Sequence, residues 1–217
     1  NFKFFIDAFA SNDTTHTPLD LAIRDIKIKN SNISFRDCDM DVAAKDFDAL
    51  LVLNHLTDDS LDAELKKLSC KVTSKAMKLD GFEISNLASG VKLADNNNLQ
   101  LTDFILRLPK TSLNLTAANY SLDTKSYSAE IGKSYFSTRD VEPFVDKIKG
   151  LNRKLNFSGK VSGVGSDVNI EELNVLTDDG GLSLEIRNNT LRTLDASAST
   201  IGDVMRIVVG NEIEQVK

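Results

Sequence analysis

Four stretches of this chain carry apolar side chains at steps of two, three and two: Leu21-Ile23-Ile26-Ile28, Ala63-Leu65-Leu68-Cys70, Leu99-Leu101-Phe104-Leu106 and Val168-Ile170-Leu173-Val175. A fifth copy, Phe82-Ile84-Leu87, breaks at Ser89. Steps of two are the period of a strand with one wet and one dry face. A step of three would turn the next side chain to the wrong face, but one extra residue, as in a β-bulge, restores the face and bends the strand. The spacing therefore predicts strands that kink once and keep a single apolar side, and sheets of such strands curl. Stacked copies of a unit that cannot cover its own apolar face need neighbours, or a ligand, to do so. The same alternation also fits a plain sandwich or barrel, in which these side chains close on one another as a core.

Turn chemistry supports a β-rich chain. Only three prolines and eleven glycines are present. Connections instead use residues that tolerate positive φ, as in Asn30-Ser31-Asn32, Asp95-Asn96-Asn97-Asn98, Asp178-Asp179-Gly180-Gly181 and Asn188-Asn189. Leu61 to Leu115 reads as a meander of short strands, with Pro109 closing one of them. Asp46 to Leu56 fits either a helix or a strand. One helix is expected over 138–150, with Pro143 in its first turn, Val141, Phe144, Val145 and Ile148 on one side, and Gly150 as its stop. A weaker one runs from Thr200 to Val209. The fold class is thus mainly β: an elongated curled antiparallel sheet, groove-like or open and barrel-like, with one or two short helices. The helix divides the chain into 1–136 and 137–217. The opening Asn1-Phe2-Lys3-Phe4-Phe5 lacks Met and starts in mid-pattern, as in a fragment of a larger repeat-built protein.

Several function classes fit poorly. A net charge of −6, a 6% aromatic share and no Trp argue against nucleic acid, which calls for a basic face and stacking rings. His16 and His55 stand in unrelated contexts, and no spacing suggests a metal centre or a cofactor. No nucleophile elbow occurs. Gly159, Gly163 and Gly165 lack the lysine of a phosphate loop and read as turn or bulge glycines. Paired acids such as Glu171-Glu172 point to opposite faces of a strand, so no catalytic residue is proposed and no enzyme is expected. Cys38 and Cys70 would need Cα atoms within about 7 Å to pair, which sequence leaves open.

Four segments carry a family resemblance: Phe4-Phe5-Ile6-Asp7-Ala8-Phe9-Ala10-Ser11; Leu19-Asp20-Leu21-Ala22-Ile23 through Ile33-Ser34-Phe35-Arg36-Asp37, as a pair of strands joined by an Asn/Ser turn; Leu61 to Leu113, including Phe104-Ile105-Leu106-Arg107-Leu108-Pro109; and Lys147-Ile148-Lys149-Gly150-Leu151 with Leu155-Asn156-Phe157-Ser158-Gly159-Lys160-Val161. In these the chain resembles the TamB (translocation and assembly module) family of the AsmA-like group, in its Bacteroidetes form. The resemblance implies a stretch of the periplasmic body of a protein anchored in the inner membrane. It implies an apolar β-groove for phospholipid transfer toward the outer membrane, or an interaction module that assists outer-membrane protein assembly or secretion with an Omp85-type barrel partner. The partners would be phospholipid acyl chains and that barrel protein, with no nucleic acid. The expected groove lining is Leu65, Leu68, Cys70, Leu101, Phe104 and Leu106.

Overall fold

The computed structural model describes residues 20–36, 41–57, 60–94, 97–144 and 152–201. Eleven strands form one antiparallel sheet in sequence order, each hydrogen-bonded to the next, and the sheet does not close into a barrel. They are β1 (Leu21–Arg36), β2 (Asp41–Leu56), β3 (Leu61–Ser74), β4 (Leu79–Ala94), β5 (Asn98–Arg107), β6 (Ser112–Ser121), β7 (Ser126–Ser137), β8 (Lys154–Val164), β9 (Asp167–Thr177), β10 (Leu182–Arg187) and β11 (Thr190–Ala196). A short helix, α1 (Thr138–Val141), follows β7, and residues 198–201 are helical after β11. A meander is what short turns and alternating strands produce, since each strand pairs with its predecessor as soon as the chain reverses.

The predicted kinks are register shifts in the ladder. Between β3 and β4, Leu65 faces Ser89 and Leu68 faces Leu87, so three steps on one strand oppose two on the other. Between β4 and β5, Gly90 faces Thr102 and Ala88 faces Ile105, with Asp103 as the extra residue at φ 51°. Asn30 in β1 (φ 42°) and Asp46 in β2 (φ 52°) do the same at neighbouring shifts. Asn and Asp enter the left-handed region at little cost because their short polar side chains bond locally. Asn30 shows the device: its N–H donates to Asp48 Oδ1 across the bulge, at 2.7 Å.

Two expectations change, and one open alternative is decided. Asn30-Ser31-Asn32 is no turn between two strands but the bulge within the sixteen-residue β1. Asp46 to Leu56 is strand, because both neighbours offer ladders for it. Gly159 and Gly163 lie inside β8, where a Cβ would meet Glu172 O at 2.2 Å and Asp167 O at 2.0 Å, so close backbone approach demands glycine there. Gly165, at φ 60°, is the turn glycine expected. The expected helix over 138–150 is α1 followed by turn to Phe144, and its remainder lies outside the described residues. So does most of the second helix, together with His16 and Cys38.

The strands are not equal in length. β4 has sixteen residues and β5 only ten, so β5 pairs with β4 from Asn86 to Ala94 and leaves Leu79 to Ser85 without a strand partner on that side among the described residues. The chain after α1 reaches this step, where the Phe144 ring meets Phe82 edge-on, with centroids 5.1 Å apart. α1 itself is pinned by Thr111 Oγ1, which accepts the Ser137 N–H at 3.0 Å, and by Asp140 Oδ2, which accepts the Lys110 N–H at 2.9 Å. At the same end Asp41, the first residue of β2, holds the turn after β3, its Oδ1 accepting the N–H groups of Lys75 and Ala76, each at 3.1 Å.

Candidate functional site

Directly opposed residues of an antiparallel sheet point to the same face. Read across the ladder, one row runs Ile23, Leu53, Ala63, Val91, Leu101, Ala118, Ala129, Val161, Ile170 from β1 to β9. It contains no polar side chain. A second row runs Ala49, Leu68, Leu87, Leu106, Leu113 across β2 to β6. A third begins at Phe104 and passes Leu115, Ile131, Gly159, Leu173 and Ile186 to Leu191 on β11. Between them on the opposite face lies a polar row, Asp62, Lys92, Gln100, Asn119, Ser128, Ser162 and Asn169. The bulges keep these rows in phase over the width of the sheet, as the two-three-two spacing requires.

The apolar rows are uncovered to an unusual degree. Among the described apolar residues only Ala63, Cys70 and Leu79 are buried, and no large hydrophobic side chain is fully enclosed. The rows are half-buried at mid-sheet and open toward its edges, where Leu194 is 60% and Phe35 57% exposed. A closed core would place most of these side chains below a tenth exposure. The alternative of a sandwich or sealed barrel is therefore not the architecture adopted.

All six expected lining residues stand on this face. Leu65, Leu68 and Cys70 follow one another along β3, opposite Ser89, Leu87 and Ile84. Leu101, Phe104 and Leu106 follow one another along β5, opposite Ala118, Leu115 and Leu113 on β6. β4 separates the two sets, and Leu87 joins them because it faces both Leu68 and Leu106. Five of the six are half-buried; Cys70, at 6% exposure, is buried and its thiol is free, with burial pushing its pKa up.

Sequence reading missed the breadth of the face. Ala118, Ala129 and Val161 carry the first row across β6 to β8, beyond the two strands whose side chains were expected to line it. Ser89, where the fifth repeat breaks, stays on the face: it stands opposite Leu65 and is 7% exposed. Its hydroxyl donates to the carbonyls of Gly90 (2.9 Å) and Thr102 (3.4 Å) at the bulge, so a polar residue sits among leucines without an unpaired group.

Charged and amide side chains of the polar face pair with one another. His55 Nδ1 lies 3.3 Å from Asp20, both exposed. Asp62 holds its pKa below the usual value through the Asn54 amide, then Lys92. No cluster of His, Cys, Asp and Glu that could hold a metal occurs among the described residues, and no described helix is long and apolar enough to cross a membrane. Compared with protein families, curated proteins and solved structures, the chain matches none.

Proposed function

We propose that this chain is a segment of an envelope-spanning protein of the TamB and AsmA-like kind, and that its apolar face carries phospholipid acyl chains between inner and outer membrane. The observation that supports this reading is the unbroken apolar row over nine strands, left open to solvent on an unclosed sheet. An acyl chain needs no specific contact: each CH₂ moved from water onto such a face contributes about 0.8 kcal/mol. Leu65, Leu68, Leu101, Phe104 and Leu106 form the central lining, with Cys70 at its base. Native mass spectrometry of the intact chain after mild extraction tests the idea. Phospholipid should be retained, and Leu101→Asp should abolish it while the chain stays folded. Absence of lipid from the wild-type chain, or loss of fold in place of loss of lipid, overturns it.

A second reading has its own support. Among the described residues β1 pairs with β2 alone, and its Ile33 and Phe35 are exposed on this sixteen-residue strand. An edge of that length can take a client strand by β-augmentation, in the manner of a module that assists an Omp85-type barrel. Crosslinkers placed along β1 should then capture one defined outer-membrane protein; a ladder with no defined product rejects it.

A further inference from the structure

The opposite, polar side of β7 to β11 holds an open groove of about 440 Å³, inside the roughly 300–1,000 Å³ range of small-ligand sites. Its walls are two rows of side chains. Tyr135 and Asn156 stand in one, continued through Leu176 to Ser183. Ser158 and Asn174 stand in the other, continued through Glu185 to Thr193. The hydroxyls of Tyr135, Ser158, Ser183 and Thr193 have no hydrogen-bond partner among the described residues. The charged side chains lining the groove are one cation, Lys133, and one anion, Glu185, and the latter already accepts from Arg187 Nε at 2.6 Å.

The lining thus offers hydroxyls and amides on adjacent strands, about 4.8 Å apart, with no net charge. Tyr135 adds an apolar ring surface, 37% exposed for the residue as a whole. Lys154 Nζ lies over that ring, 4.3 Å from its centroid, and borders the adjoining depression, not this groove. The cation fixes the ring from one side and leaves the groove side for a ligand. The two lining charges, Lys133 and Glu185, are of opposite sign, and an acyl chain would leave the hydroxyls unpaired. A sugar ring matches both elements: its rim of hydroxyls exchanges hydrogen bonds, and its C–H face packs on an aromatic ring.

We infer that this groove binds a neutral saccharide chain. The site is on the face opposite the apolar rows, so it stands or falls independently of the lipid reading. Amide chemical shifts of the ¹⁵N-labelled full chain, titrated with cellotetraose and with chitotetraose, test it. At least one should give saturable shifts confined to β7 to β11. Tyr135→Ala should weaken binding about tenfold. Tyr135→Phe, which keeps the ring and its lysine, should weaken it about threefold. Ser183→Leu, which fills the groove from β10, should abolish it, and Gln100→Ala on the same face should leave it unchanged. Absence of saturable shifts with both oligosaccharides overturns the inference. So does binding that survives Ser183→Leu in a folded chain, or a groove response to tetralysine or tetraglutamate in place of the sugars.

Discussion

Phe144 meets Phe82 edge-to-face, with ring centroids 5.1 Å apart and planes 80° to one another. The contact joins the segment after β7 to a part of β4 that β5 is too short to reach. Edge-to-face pairs contribute about 0.5–1.5 kcal/mol beyond the area they bury. Phe144→Ala should lower stability by about 1 kcal/mol in urea unfolding. Phe82→Ala in the same background should add little more, because the pair acts as a unit; full additivity of the two changes would show that the rings do not couple.

The glycines inside β8 should be intolerant of any side chain. A Cβ at Gly159 would stand 2.2 Å from Glu172 O and 3.0 Å from Leu173 Cα. Relief requires β8 and β9 to move apart, at a cost of about 2–3 kcal/mol. Gly159→Ala should show that loss, whereas Gly132→Ala, whose nearest neighbour is 3.5 Å away, should be close to neutral.

Leu101 should tolerate truncation better than a core leucine. Fully buried leucines lose about 2–5 kcal/mol on change to alanine, much of it from the cavity left behind. Leu101 is half-buried on an open face, where truncation leaves no cavity. Leu101→Ala should cost about 1 kcal/mol by denaturant titration. A loss above 3 kcal/mol would mean that the face is covered in solution.

Acid should weaken the end of the sheet that Asp41 holds. The Ala76 N–H, then that of Lys75, stabilises the carboxylate and brings its pKa below the ordinary value. A carboxyl whose folded pKa is depressed stabilises the fold above its unfolded pKa, and the contribution vanishes as pH falls through the folded value. Wild-type stability should therefore decline below about pH 4. Asp41→Asn should lose part of its stability at neutral pH and show a shallower acid limb in a urea midpoint against pH series.

Cys70 should react slowly in the native chain. It is buried and its thiol is driven toward the protonated form by desolvation, while the thiolate is the reactive species. In a Cys38→Ser background, iodoacetamide labelling at pH 8 should be slow until denaturant is added, then rapid. Equal rates in both states would place Cys70 at the surface.

The local rules were legible in the sequence. Counting apolar residues by two, three and two assigned Leu21 to Ile28, Ala63 to Cys70, Leu99 to Leu106 and Val168 to Val175 to one face, since strand period and bulge geometry act within a few residues. Asp178-Asp179-Gly180-Gly181 and Asn188-Asn189 marked hairpins for the same reason. What the chain pairs with at a distance was not legible. Asn30-Ser31-Asn32 has the chemistry of a turn and of a bulge alike, and only the long ladder with β2 made it a bulge. Gly159 gave no sign that Glu172 would pack against it. Whether the apolar rows would seal on each other or stay open depended on how eleven strands add up. Each register shift contributes a small bend, and the sum of bends and strand lengths, which no short window contains, left the sheet unclosed.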